Sequence, residues 1–356
     1  MSGSIYTALD ANFNRCLEGL RVCEDIFRFV CLNHDISSGL KKLRHEIKHS
    51  MKSFPGNMLL SARDINADDQ KFADAISGET RENIQDVFKA NIHRAFEAAR
   101  VIEELSKILY PSLSADIQSL RFRLYDIEKK ALSYIIKTAK VNKLKGKLYA
   151  ILDSEFIKEN SYRKTAEAFI RGGAGAIQLR MKNSSSKEYL STAREISDLC
   201  RSEDVLFIVN DHPAIAFLSN SDGIHLGQDD ISIKDAEKII THDSIIGIST
   251  ESLEEIRKAI IEFPDYLAIG PVFNTSSKNG VNIPGIGIDV IKEIKSETDK
   301  PLVAIGGINR ENISDVIKSG ADCAAVISAL YKNGLYEENA RELSDLIIGA
   351  SADSIS

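Results

Sequence analysis

The sequence predicts an α/β protein in which an all-helical N-terminal domain precedes a (β/α)8 barrel. Three observations carry this expectation. The chain has 356 residues, more than a single ordinary domain. Apolar residues recur at spacings of three and four up to about residue 140, the rhythm of amphipathic helices. Beyond residue 147 the rhythm changes to about eight short β-branched runs, each followed by a helix-like stretch, which is the strand count of a closed parallel barrel.

In the first domain, residues 1–140, the apolar spacing near three and four, as in Leu17, Leu20, Val22 and Ile26, marks amphipathic helices. Pro55-Gly56 and Pro111 punctuate the helices, and the polar stretch from Ser61 to Ala67 reads as a loop. Lys140 to Lys147 is short and basic, and reads as the linker. In the second domain, residues 147–350, the expected strands are Leu148–Leu152, Ala176–Arg180, Leu206–Asn210, Gly223–Leu226, Ser244–Ile248, Tyr266–Gly270, Leu302–Gly306 and Cys323–Ile327. An open doubly wound sheet is the rival architecture. It would carry a Gly-rich turn after the first strand, where Asp153-Ser154-Glu155 stands, so a TIM barrel is preferred.

Composition narrows the function. With 43% hydrophobic and 27% charged residues the chain reads as an ordinary globular protein. A net charge of -7 argues against nucleic acid as a partner, because phosphate backbones are bound by clustered Lys and Arg. No apolar run reaches the roughly 18 residues a membrane helix needs, and the first residues lack the basic and apolar stretches of a signal peptide, so no membrane partner and a cytoplasmic location are expected. Cys16, Cys23, Cys31, Cys200 and Cys323 form no C-x-x-C pair and read as buried free thiols.

Polar residues at the C-terminal ends of barrel strands build active sites. Gln178, Arg180 and Lys182 alternate at the end of the second strand, so they project together, two cations and an amide suited to a diphosphate. Asn210-Asp211 ends the third strand and His225-Leu226-Gly227-Gln228-Asp229-Asp230 the fourth. Asp211 and Asp230 are therefore candidates to share one Mg2+, which takes one or two carboxylates and completes its shell with water and phosphate. Turn formation is the plainer reading of either aspartate. Thr275, Ser277 and Lys278 lie in a loop after the sixth strand, and Gly306-Gly307 and Ile327-Ser328 follow the seventh and eighth, where barrels often cradle phosphate.

Taken in order, Q-x-R-x-K, N-D, H-x-G-Q-x-D, G-P-x-x-x-T-x-[ST]-K, I-G-G-I and I-S-A span Lys147 to Tyr331, and this half resembles thiamine phosphate synthases. The resemblance implies condensation of an aminopyrimidine diphosphate with a thiazole phosphate to give thiamine phosphate and pyrophosphate. It implies that Gln178, Arg180, Lys182, Asn210, Ser249 and Lys278 hold the pyrimidine diphosphate, and that Asp211 and Asp230 carry Mg2+. Thr275, Ser277, Gly307, Ile327 and Ser328 would hold the thiazole phosphate. Arg180, Lys182 and Lys278 would act catalytically on the departing pyrophosphate. Two positions depart from the family pattern: Glu251 stands where His is common, and Asn274 where Pro is common. Glu251 also weighs against a thiazole tautomerase, the nearest rival, which uses His there. A generic phosphosugar isomerase or aldolase barrel would not need both aspartates and the cationic set.

The helical half repeats itself. Asn12, Arg15, Glu18, Arg21, Val22, Glu24 and Asp25 recur 79 residues later as Asn91, Arg94, Glu97, Arg100, Val101, Glu103 and Glu104, which points to two similar helices facing each other. Solvated ion pairs at i, i+3 explain such a stripe without function, and a polar site between the helices is the alternative. Leu9 to Val22, with Leu43-Arg44-His45 and Ser61-Ala62-Arg63-Asp64, resembles the helical domain fused to some bacterial thiamine phosphate synthases, itself similar to monofunctional hydroxymethylpyrimidine phosphate kinases. That implies a kinase using ATP and Mg2+, with Arg15, Arg21, Arg94 and Arg100 as phosphate clamps, Glu18 or Glu97 near the metal, and Asn12 and Asn91 in the same site. There is no Walker loop, and a dimerisation or regulatory module is the alternative role. His45-Glu46-Ile47-Lys48-His49 fits a zinc-protease pattern but has no evident third ligand, so it reads as a surface helix. Small-molecule pyrimidine and thiazole phosphates are the expected partners, and a homo-oligomer is compatible with the sequence.

Overall fold

A computed structural model describes residues 2–61, 80–157, 161–275 and 282–353. The chain divides into two compact units, Met1–Ile136 and Lys137–Ser356. Helix α1 covers Ser2–Asp25 and continues as a π-helical turn, Ile26–Val30. Then come α2, His34–Met51; α3, Gly56–Ser61; α4, Ile84–Leu109; and α5, Pro111–Asn142. Asn33 and Asn83 cap α2 and α4 by accepting hydrogen bonds from the Ile36 and Asp86 amides. The apolar stripes of these helices close on one core that includes Leu9, Phe13, Leu20, Phe27, Leu40, Ile47, Phe88 and Ile92.

The two repeat helices do meet. Gly19 of α1 lies against the Asn91 carbonyl of α4, and the Cys23 thiol is 3.8 Å from the Phe88 carbonyl, so the helices run antiparallel. The expected loop from Ser61 begins at the last residue of α3, and its residues from Ala62 to Ala67 lie outside the described residues. The expected linker is a correction. Helix α5 continues to Asn142, so only a turn at 143–146 separates it from the first strand.

The second unit is a closed barrel of eight parallel strands in chain order. They are β1, Lys147–Asp153; β2, Ala174–Arg180; β3, Leu206–Asn210; β4, Gly223–Leu226; β5, Ile245–Thr250; β6, Tyr266–Ile269; β7, Leu302–Ile305; and β8, Cys323–Val326. Each expected strand matches to within two residues at either end. Alternate residues point outward to the surrounding helices, as Leu148, Ala150, Ile177 and Leu179 do, or inward, as Tyr149, Ile151, Ala176 and Ile208 do. Both faces are covered, which is why the strands read as continuous apolar runs.

The end of α5 closes the barrel's N-terminal end. Val141 and Leu144 join the inward-facing cluster. Lys137 Nζ lies 3.0 Å from Asp265, and Lys140 Nζ bonds the Asp243 carbonyl at 3.0 Å and faces Asp222 at 3.5 Å. Among the described residues, no helix is long and apolar enough to cross a membrane. Four of the cysteines are buried free thiols as expected; Cys31 is only half-buried.

Candidate active site at the barrel mouth

The C-terminal ends of the strands surround a cavity of about 580 Å³. Strand β2 supplies Gln178, buried inside the barrel, then Arg180 at its end and Lys182 beyond, all on the cavity wall. Asn210 and Asp211 come from β3, Asp230 from the turn after β4, and Ser249 from β5. Thr275, Gly307, Ile327 and Ser328 line the opposite wall. Ser277 and Lys278 lie outside the described residues.

Asp211 holds a left-handed backbone, with φ of 64°. Burial pushes its carboxyl above the usual carboxylate range, and the neighbouring Asp230 carboxyl adds to the shift. Lys182 Nζ, 3.6 Å from Asp211, partly offsets this. Asp230 also accepts a 2.7 Å hydrogen bond from the Gly227 amide, so the turn-forming reading of this aspartate holds alongside any metal role. Two adjoining carboxylates at a site that penalises their charge form an all-oxygen donor set fitted to a hard divalent cation. No group of three or more His, Cys, Asp or Glu that could hold a metal occurs among the described residues, and Mg2+ needs only one or two carboxylates from protein.

Arg180 reaches back to Asp153, which is almost fully buried at the end of β1, at 2.5 Å. That partner is absent from the sequence-based site, although its position directly after an apolar run was a readable signal. Also missed were Tyr149 and Tyr266, while His225 was read only as part of a motif and given no role. The amide of Gln178 donates to the Tyr149 hydroxyl at 2.9 Å, Tyr149 meets Tyr266 at 3.1 Å, Tyr266 meets His225 Nδ1 at 3.0 Å, and His225 Nε2 meets Ser249 Oγ at 2.8 Å. Burial raises the pKa of both tyrosines, so they stay protonated. Room for the Tyr266 ring comes from Gly247 on β5, where a Cβ would fall 2.0 Å from Tyr266 Cζ.

Gly306 and Gly307 after β7 both have positive φ, 97° and 67°. A Cβ on Gly307 would stand 2.7 Å from the Asn274 carbonyl, so glycine here lets the loop after β6 approach the loop after β7. Ser328 begins a short 3-10 helix, Ser328–Gly334, beside this pair. Glu251 lines the cavity, and its amide donates to the Glu255 carboxylate at 2.7 Å.

A family model described as thiamine monophosphate synthase matches residues 148–330, and a thiamine-phosphate synthase from Prochlorococcus marinus is 36% identical over 323 residues, 90% of each chain. The chain belongs to the thiamine phosphate synthase family. A second thiamine-phosphate synthase, from Thermosynechococcus vestitus, is 35% identical and covers 94% of this chain and 93% of its own. Among solved structures, a thiamine phosphate pyrophosphorylase from Pyrococcus furiosus is 35% identical, with a TM-score of 0.53, and covers 59% of this chain and 98% of its own. Synthesis of thiamine phosphate is therefore the activity of this chain. A model of the ThiD2 family matches residues 7–130, the helical unit.

Within that unit, Asn12 and Asn91 each donate to a carbonyl of their own helix, Ala8 and Val87, both at 2.8 Å. Arg21 pairs with Asp25 at 2.9 Å and Arg100 with Glu104 at 2.7 Å. Arg15, Glu18, Arg94 and Glu97 are exposed. The repetition goes deeper than the stripe. Glu24 is buried and takes a 2.7 Å ion pair from Arg44 of α2, and Glu103 is buried and takes a 2.8 Å ion pair from Arg121 of α5. The signal was present in Leu43-Arg44 and Leu120-Arg121. Glu46 of the zinc-protease pattern is held by Arg123 at 2.5 and 3.0 Å, which gives it a structural partner.

Proposed function

We propose that the chain is bifunctional: the helical unit phosphorylates hydroxymethylpyrimidine phosphate with ATP, and the barrel condenses the resulting diphosphate with thiazole phosphate. The observation that carries the barrel reading is the cavity at the strand ends, lined by Arg180 and Lys182, where Lys182 faces Asp211 and Asp211 adjoins the Asp230 carboxyl. Gln178, Asn210 and Ser249 hold the pyrimidine diphosphate together with Arg180, Lys182 and Lys278. Thr275, Ser277, Gly307, Ile327 and Ser328 hold the thiazole phosphate. Asp211 and Asp230 would carry Mg2+, which supplies charge neutralisation on the departing pyrophosphate. Arg180, released from Asp153, and Lys182, released from Asp211, add their charges to the same oxygens. The thiazole nitrogen then takes the pyrimidinylmethyl carbon, so no protein nucleophile is needed.

The ThiD2 match over residues 7–130 supports the kinase reading. Arg15, Arg21, Arg94 and Arg100 are its phosphate clamps, with Glu18 or Glu97 near the metal and Asn12 and Asn91 in the same site. Purified protein given hydroxymethylpyrimidine phosphate, thiazole phosphate, ATP and Mg2+ is expected to release thiamine phosphate. Product only from ready-made diphosphate would end the kinase half and leave the synthase half standing, with the helical unit as a dimerisation or regulatory module.

A further inference from the structure

The barrel interior holds a continuous hydrogen-bond chain, Gln178–Tyr149–Tyr266–His225–Ser249, that joins β2 to β5 across the inside of the barrel. Gln178, Tyr149, His225 and Ser249 line the base of the cavity; Tyr266 is fully buried. We propose that Tyr149, Tyr266 and His225 are positioning residues that fix the Gln178 amide and the Ser249 hydroxyl, so that the Gln178 carbonyl oxygen accepts from the amine of the pyrimidine and the Ser249 hydroxyl donates to a ring nitrogen. This rests on the reading that those two residues hold the pyrimidine.

Proton bookkeeping gives the direction. Gln178 Nε2 donates to the Tyr149 oxygen. The Tyr149 hydroxyl is buried, and among the described residues its one remaining partner is Tyr266, so leaving its proton unshared would carry the desolvation cost of an orphaned donor. Tyr149 therefore donates to Tyr266, and Tyr266 donates onward to His225 Nδ1. A ring that accepts at Nδ1 carries its proton on Nε2, which donates to Ser249 Oγ. What remains at the two ends is the Gln178 carbonyl oxygen, an acceptor, with the second hydrogen of its Nε2, and the Ser249 hydroxyl proton, a donor. An aminopyrimidine offers the complement, an exocyclic amine beside a ring nitrogen. Running the chain backwards requires the Gln178 amide to flip and every proton to move with it, so the His225 tautomer reports which way the chain runs.

The His225 tautomer, read at fixed pH from 15N chemical shifts and assigned with a His225→Gln variant, tests the chain without substrate. The wild-type ring is expected to carry hydrogen on Nε2. Tyr266→Phe removes the donor to Nδ1 and is expected to mix the tautomers, with KM for the pyrimidine diphosphate raised about tenfold and KM for thiazole phosphate within about twofold of wild type. Tyr149→Phe leaves Tyr266 able to donate, so the His225 spectrum is expected to stay as wild type while the diphosphate KM rises through the loosened Gln178. A wild-type ring protonated on Nδ1, or a Tyr266→Phe spectrum identical to wild type, overturns the proposal. Should Tyr266→Phe fail to fold, the wild-type spectrum and Tyr149→Phe decide it: equal rises in both KM values, or a shifted His225 spectrum in Tyr149→Phe, overturn it. Ser249→Ala separates the two layers, since an unchanged diphosphate KM there removes Ser249 from the pyrimidine site whatever the tautomer.

Discussion

Asp211 illustrates how a residue suited to a cation costs the protein something without one. Its carboxyl is pushed up by burial and then by Asp230, so the folded chain binds this proton more tightly than the unfolded chain does. Stability from this group is fully present below the ordinary carboxylate pKa and is lost as pH rises through the raised one. Asn keeps the shape and tolerates the left-handed backbone at this position. Metal-free Asp211→Asn is therefore expected to melt about 2–4 °C above wild type near pH 8, the shift that about 1 kcal/mol gives a domain of this size, and to converge with wild type in acid. Its synthase rate is expected to fall about 100-fold or more. Equal melting temperatures across that pH range would show that the carboxyl is not under strain. Residues of this kind were legible because charged and amide side chains closing apolar strands stand out in sequence. Tyr149 and Tyr266 did not stand out, since aromatic rings inside apolar runs look like packing, and only the fold brings their polar tips together with His225 from three separate strands.

At the scale of elements, the helical unit carries the same buried ion pair twice, Glu24 with Arg44 and Glu103 with Arg121. Removing one partner of such a pair strands the other charge in a low-dielectric site, at a cost of about 3–5 kcal/mol. Arg44→Met and Arg121→Met are each expected to destabilise the unit by an amount in that range, measured by urea unfolding followed by circular dichroism. Effects near zero for either would mean that the carboxylate finds water. The exposed partners Arg21 and Arg100 are expected to contribute below about 1 kcal/mol each to folding. The helix repeat was visible because identical residues recur at a fixed offset. Its buried partners were less visible because the second helix of each pair repeats with a different offset and little more than Leu-Arg in common. Strands were read to within two residues because parallel strands covered on both faces leave unbroken apolar runs. The end of α5 was misread because a basic stretch resembles a linker until its lysines find carboxylates far along the chain.

For the whole molecule, the two units have separate apolar cores, one drawn from residues up to Ile135 and the other from Val141 onward. A fragment Lys137–Ser356 is expected to convert ready-made pyrimidine diphosphate and thiazole phosphate at a rate within about threefold of the full chain, a difference of well under 1.4 kcal/mol in barrier. A fragment beginning at Lys147 lacks Val141 and Leu144 and leaves Asp265 without Lys137. Loss of those two buried side chains predicts a deficit of about 3–6 kcal/mol, visible as a lower urea midpoint. Equal midpoints for the two fragments would dismiss any structural part for residues 137–146.

That same closure bears on the order of assembly. The ribosome releases Val141 and Leu144 before any strand exists, so the stopper is made ahead of the vessel. Lys137 waits for Asp265, 128 residues downstream, and Lys140 for Asp243, 103 downstream. Contacts of such long range form late. A nascent barrel thus wraps its sheet around a helical stub already in place, and the base of the cylinder is tied shut only when more than half of its staves have emerged.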